Sequence, residues 1–592
     1  MRNRFLAIIE QHEAILHKKN HVFNIIGMAK ILLTIIAGFL IYLMYVRSLQ
    51  LEYVVLFIIV FITLTALWVY QNELSKTINF SKGIITVCNR QTDRINGKWK
   101  EFQDTGAEFI DRDHAYSSDL DVVGEKSLFQ FLNSTHTWPG RQAFANDLLH
   151  ANYDAAELRI RQEAIEELSQ DLTFSCETQY YLSLVGSDNY SIKLTRDLQD
   201  IPSLMKNIAI KIVLTYGPIL SLAAIAGIIA CQQRHLYYIA ILIAALQTVI
   251  WIIGMPKTHK FLQPMLDLPN SLGAYNEIIN EFSRRDFSSA KLRRLKEELS
   301  LALPAIKDLG KIESRISVKN NGLIYFLLNV FLMWDYRCAY KLEEWKKKYA
   351  PLAERWFLAL GEFESLLCFS HLPNICDNTC LPLVSELSNT ILADDIGHPL
   401  LPNESRVNNR LNINNSIFII SGSNMSGKTT FLRTVGINLV LARAGGFACA
   451  RKMSFPPLHI MTSMRLADNL DEGVSTFYAE LRRIKKIIAL AENQPETLFL
   501  IDEIFKGTNS VDRLIGAETV LTKLNDLGVI GLTSTHDLEL CQLADTHDRI
   551  MNFNFSEYYR DNEICFDYTI RPGKSNTTNA RYLMKMVGIL EE

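Results

Sequence analysis

Between Ile417 and Thr430 the sequence IFIISGSNMSGKTT passes from a β-branched apolar run through Gly422-x-x-x-x-Gly427-Lys428-Thr429 into an apolar helical pattern. Few folds accept that order. A strand that ends on glycines and reopens as a helix gathers backbone N–H groups at a helix N-terminus, where unpaired donors and the helix dipole favour anions. The expectation is a C-terminal α/β P-loop NTPase domain that binds ATP. Lys428 supplies a point charge on the β- and γ-phosphates, and the Thr429 hydroxyl is placed to ligate Mg2+.

About seventy residues on, Thr497 to Glu503 reads TLFLIDE, a buried-strand pattern that ends in two carboxylates. Beside the P-loop strand it would bring Asp502 to the metal and Glu503 to the water that attacks the γ-phosphate. A third strand, Val529 to Ser534, ends in Thr535-His536-Asp537. Because α/β sheets bind ligands beyond their carboxyl strand ends, His536 is expected to sense the γ-phosphate. Glu503 and His536 are the candidate catalytic residues.

The 592-residue chain is long enough for three or four domains, and its 48% hydrophobic content excludes a largely disordered protein. A net charge of −3 gives no global basic field that would advertise nucleic acid. Ten scattered cysteines lack the paired spacing of a zinc site and read as reduced thiols. Four uncharged or nearly uncharged runs, at about 22–46, 53–70, 208–230 and 237–255, come in two close pairs, each run near the length that spans a hydrocarbon core. They predict two transmembrane helical hairpins in an otherwise all-α lever or core region. Lys and Arg at positions 2, 4, 18, 19, 76, 82, 206, 257 and 260 flank the runs, so these flanks are expected on the cytoplasmic side. The reading is an integral, multi-pass protein of the cell or inner membrane, with its N-terminus and ATPase domain cytoplasmic. Gly322 to Trp334 is apolar but short for a span, and is expected to be a buried helix. The predicted segments are 1–75, 76–206, 207–256, 257–385 and 386–592.

Several motifs, in order, resemble the MutS family of DNA mismatch repair ATPases. They are GSNMSGKTT from Gly422, GVSTFYAE from Gly473, DEIFKGTNSVD from Asp502, Thr535-His536 and Gly397-His398-Pro399. The upstream segment Ser127 to Leu168 resembles the start of that family's helical core. The resemblance implies an ABC-type ATPase that works as a homodimer and acts on double-stranded DNA or DNA-bound proteins. Gly422, Asn424, Gly427, Lys428, Thr429 and Thr430 would contact the nucleotide, with Thr429 and Asp502 at the metal. Ser475 would reach the nucleotide of the partner subunit, Asp512 would lie at that interface, and His398 would approach the adenine.

The sequence also departs from the family. Ser423 and Ser426 stand where the family usually has Pro and Gly. A hydrophobic hairpin occupies the region of the mismatch-reading module, so direct mismatch recognition is not expected. Phe555-Ser556-Glu557 is the one tempting copy of the Phe-x-Glu wedge, but it follows the ATPase motifs and reads as chance. The chain ends soon after Asn579 to Ile589, without the family's helix-turn-helix dimer lock, so the hairpins are expected to supply association. The alternative is a membrane mechanoenzyme or signalling ATPase with no nucleic-acid partner.

Overall fold

The computed structural model describes residues 2–47, 50–151, 153–185, 208–231, 233–266, 271–465, 476–505, 509–560 and 563–575. It divides into two compact units. One gathers Met1–Asn133, Leu148–Tyr180 and Phe369–Glu592; the other holds Ser134–Asp147 and Tyr181–Cys368.

In the first unit the helices Arg2–Val46 and Leu51–Ile95, 45 residues each, pair as a hairpin. Both run well past the apolar stretches seen in the sequence, and the boundary expected at 75 falls inside the second. Beyond Tyr70 that helix carries charges yet keeps a buried stripe of Leu74, Ile78, Ser81, Ile84, Cys88 and Gln91, at the three- and four-residue spacing of one helix face. Hydropathy marks where the surroundings change, not where the helix stops. Within the apolar part Ile31, Ile35, Phe39 and Phe61 are each more than half exposed. The lone cation of the first run, Lys30, turns inward and donates to Gln71 Oε1 at 2.8 Å.

The rest of this unit carries two sheets. The strands are β1 (Leu383–Val384), β2 (Thr390–Ile396), β3 (Asn409–Asn414), β4 (Ile417–Ser421), β5 (Lys452–Phe455), β6 (His459–Ser463), β7 (Thr497–Asp502), β8 (Ile530–Thr535), β9 (Ile550–Arg560) and β10 (Glu563–Pro572). A four-stranded sheet has the order β1-β5-β2-β3, and a six-stranded one the order β10-β9-β4-β8-β7-β6. In the larger sheet all pairings are parallel except β9 with β10. Strands β4, β7 and β8 are buried at every position, as expected of central parallel strands covered on both faces. Their register pairs Ser421 with Thr535 and Asp502 with Ser534, so the three motif-bearing strands end at one edge.

The second unit is helical. Ile208–Cys231 and Arg234–Leu266 form a hairpin. Gln247 holds it from inside, donating to the Gly217 carbonyl at 2.7 Å and accepting from the Ser221 hydroxyl at 3.0 Å. Ser271–Arg284, Ala290–Ser300, Leu303–Ile316, Gly322–Leu332 and the 37-residue Trp334–Ser370 follow. Gly322 to Trp334 is not the buried helix its sequence suggests. A helix forms, but only Asn329 and Val330 are buried on it, while Leu323 is 72% exposed. By length and composition, four of the described helices could cross a membrane: Arg4–Val46, Leu51–Ile95, Leu214–Cys231 and Arg234–Gln263.

Candidate functional site

The turn after β4 takes its shape from two glycines. Gly422 has φ +150° and Gly427 has φ +107°. A Cβ on Gly422 would lie 2.8 Å from the Phe555 carbonyl oxygen, and one on Gly427 would lie 3.1 Å from the Tyr568 ring. Backbone conformation disfavours larger residues at both positions, and at Gly422 the space is closed as well. Gly427 caps the helix Lys428–Arg443, so the loop leads directly into a helix N-terminus. Lys428 is 5% exposed and donates to the carbonyls of Gly422 and Ser423, at 2.9 Å each, across the mouth of the loop.

Strands β7 and β8 complete the constellation. The Thr429 hydroxyl donates to Asp502 Oδ1 at 2.9 Å, and the Ser534 hydroxyl donates to the same oxygen. Asp502 is 8% exposed. A hydroxyl and a carboxylate placed side by side form an oxygen donor pair of the kind a hard divalent cation takes, the remaining positions falling to phosphate and water. Among the described residues no cluster of three or more His, Cys, Asp or Glu could hold a metal, so this pair would need phosphate oxygens to complete it.

Glu503, one residue past the strand, has φ +56°, and Phe505 has φ +60°. Left-handed backbone at such side chains costs on the order of 1–3 kcal/mol and must be held in place. Glu503 N–H donates to the Ser534 carbonyl at 3.2 Å, and Phe505 N–H donates to Glu480 Oε1 at 2.6 Å. The bend turns the Glu503 carboxylate to His536, whose Nε2 lies 2.8 Å from Oε1, while Lys428 Nζ lies 3.4 Å from the same ring nitrogen. Arg513 grips Asp537 through two bonds of 2.8 and 3.0 Å, fixing the residue after His536. A cation, an imidazole and a carboxylate thus converge on the loop mouth.

A cleft of about 550 Å³ opens beside the loop, and Asn424, Gly427, Lys428, Thr429, Thr430 and Glu503 contribute to its lining. His398 lines it as well, with a pKa pushed down to about 4 by burial and by the charges of Arg433 and Arg406, so its ring is neutral near pH 7. Asp512 lies elsewhere. It is exposed at the start of the helix Ser510–Asp526, where Asn509 accepts from its N–H at 2.9 Å and donates to its carboxylate at 2.6 Å. Ser475 lies outside the described residues.

Three features escaped sequence reasoning. Tyr568, on β10, lines the cleft against Gly427, far from any motif in the chain. Ser423 donates to Glu557 Oε2 at 2.7 Å, and the other Glu557 oxygen is buried without a partner among the described residues. The Phe-Ser-Glu segment therefore has a place: Phe555 backs Gly422, and Glu557 braces the loop. Ser426, tolerated in the loop at 2% exposure, has a hydroxyl with no partner among the described residues. The departure from Pro at 423 was the one available signal, since a hydroxyl there needs an acceptor.

Residues 418–591 match the family model of MutS domain V. This C-terminal part of the chain resembles the MutS family. The DNA mismatch repair protein MutS of Desulfatibacillum aliphaticivorans is 32% identical over 221 residues, 36% of this chain and 24% of that protein. That of Desulfosudis oleivorans is 33% identical over 210 residues, 34% and 24% of the two chains. That of Bacillus cereus is 29% identical over 245 residues, 40% and 27%. The match spans about a quarter of the length of these relatives. MutS domain V is a P-loop ATPase domain, and the loop and cleft described above lie within the matched residues.

Proposed function

We propose that this chain is a membrane-anchored ATPase of the MutS type, in which Mg2+-dependent ATP binding and hydrolysis drive a movement coupled to DNA or to a DNA-bound partner. The observation that carries the reading is the meeting of Lys428, Thr429, Asp502, Glu503 and His536 at the ends of three adjacent parallel strands. Mg2+ bound to the nucleotide would neutralise charge on the transferred phosphoryl group. Thr429 and Asp502 would hold it, and Lys428 would leave its carbonyl partners for the phosphates. Glu503 would orient the attacking water and take up its proton, with His536 at 2.8 Å holding that carboxylate in line. Two copies would share each nucleotide through Ser475, so that binding closes the pair and hydrolysis releases it.

The membrane anchor is supported by four long apolar helices whose large side chains are exposed, and by the Lys and Arg residues at their flanks. On this reading the N-terminus and the ATPase domain would face the cytoplasm. The DNA link is supported by the family and by the names of the relatives, the DNA mismatch repair proteins. Full-length protein in nanodiscs should hydrolyse ATP only with Mg2+, and should bind duplex DNA at low salt with an affinity that ATP changes in wild type but not in Lys428→Ala. Turnover with no DNA binding at low salt would favour the other reading, a mechanoenzyme acting on the bilayer, which the two apolar hairpins support. Absence of both would reject the proposal.

A further inference from the structure

The helix Gly322–Leu332, GLIYFLLNVFL, contains no charged residue, and at about 1.5 Å per residue it is near 16 Å long, half a hydrocarbon core. Asn321 caps it by accepting from Ile324 N–H, and Met333, with φ +53°, ends it. Its one amide side chain points inward: Asn329 is fully buried, donating to the Tyr325 carbonyl at 3.1 Å and accepting from Asp335 N–H at 3.0 Å. The opposite face presents Leu323, Ile324 and Leu327, with Phe326 at its edge, all exposed. A soluble helix is patterned the other way round.

Its neighbours say what covers that face. Trp251 meets the rings of Tyr325 and Phe326 at 5.7 and 6.2 Å, and Met333 reaches the Gly217 position. Trp251 and Gly217 lie inside the two apolar runs 237–255 and 208–230, not beyond their ends. Around them the exposed residues are again large and apolar, among them Ile219, Leu246 and Ile252. Asp335 ties the group together, accepting from Trp251 Nε1 at 3.1 Å and Tyr325 OH at 2.5 Å, with Lys319 at 3.9 Å. A carboxylate 2% exposed and satisfied in this way is what a residue at membrane depth requires.

We propose that Gly322–Leu332 is a half-membrane helix, its Leu323, Ile324, Phe326 and Leu327 face covered by the lipid acyl chains of the leaflet that contains the chain ends of the hairpin Ile208–Cys231 and Arg234–Leu266. This rests on the membrane reading of that hairpin and adds a third, non-spanning element to it. The test uses full-length protein in phosphatidylcholine–phosphatidylglycerol vesicles doped with an acyl-chain diazirine lipid, followed by photolysis and peptide mapping. Labelling of both hairpin helices and of Gly322–Leu332, but not of Ala290–Ser300, is the expected result. A labelled hairpin with Gly322–Leu332 unlabelled, or cross-linked to a second copy of the chain, would overturn this inference and leave the anchor standing. No label in the hairpin would overturn both.

Discussion

Asp502 and Asp335 are both buried aspartates, and their surroundings differ in kind. Asp502 accepts from the hydroxyls of Thr429 and Ser534 at one oxygen, beside the cleft that Thr429 and Glu503 line. Asp335 is enclosed: an indole N–H and a phenol address one oxygen, and an ammonium group lies near the other. The first set is open to a ligand and the second is closed on itself. A carboxylate beside a phosphate-binding type of loop, with a hydroxyl next to it, is placed for chemistry, whereas one that ties an indole, a phenol and an ammonium group together is placed for architecture.

The largest effect that could break this contrast is on turnover. Asp502→Asn should lower Mg2+-dependent ATP hydrolysis by on the order of 10²-fold or more, since a metal supplies several kcal/mol of charge stabilisation, with little change in thermal stability. Asp335→Asn should do the reverse. Equal losses of turnover in the two variants, measured by steady-state phosphate release, would erase the distinction.

Stability against pH should separate the two units next. Burial and the charges of Arg94 and Arg90 push His371 down to about 3, and His398 is pushed down to about 4. Both histidines stay neutral when folded, so the unfolded chain binds more protons below its own value near 6.5. The unit that contains them should lose stability as pH falls from about 6.5 towards 4, by about 3 kcal/mol for His398 alone. Glu364 behaves oppositely. Burial pushes it up to about 7 despite bonds from Thr137 Oγ1 and the N–H groups of His136 and Thr137, so the folded form holds a proton the unfolded form has lost. Its unit should lose about 3 kcal/mol as pH rises from about 4.5 to 7. Hydrogen-exchange protection, corrected for intrinsic rates, should show opposite slopes that Glu364→Gln and His398→Asn each flatten. Slopes of the same sign would contradict the assignment.

Asp335→Ala should cost roughly 1–3 kcal/mol for each buried group left unpaired, Trp251 N–H and Tyr325 O–H among them. The check is a thermal melt in nanodiscs beside unchanged turnover per folded molecule. The smallest effect belongs to the loop brace. Ser423→Ala should remove a hydrogen bond worth about 0.5–1.5 kcal/mol, altering KM for ATP more than kcat. A change confined to kcat would argue that Glu557 acts on the chemistry instead.

Much of the site was legible because Asp502, Glu503 and His536 fall at or just past strand ends whose register is dictated by burial, and the loop with Lys428 and Thr429 follows a third such strand. Ile417 to Ser421, Thr497 to Asp502 and Ile530 to Thr535 are apolar enough to be central, and central parallel strands align their ends. Tyr568 and Glu557 were not legible, since the β9–β10 hairpin that carries them follows the motifs and reaches the cleft only through pairing with β4. The hairpin helices were legible as apolar runs but not in length, because their outer turns bury a stripe against protein that hydropathy does not see. Gly322–Leu332 was misjudged for a related reason: composition shows that a helix is apolar, but not whether protein or another medium covers it.

The proposed role of Glu503, bent back to His536, is to activate water for ATP hydrolysis. Single-turnover and steady-state measurements on wild type and Glu503→Gln, alongside equilibrium nucleotide binding, test it most directly. Nucleotide affinity should stay within a few-fold of wild type while the hydrolysis rate falls by roughly 10²–10⁴-fold, the range of a lost general base. Equal rates in the two proteins would contradict it.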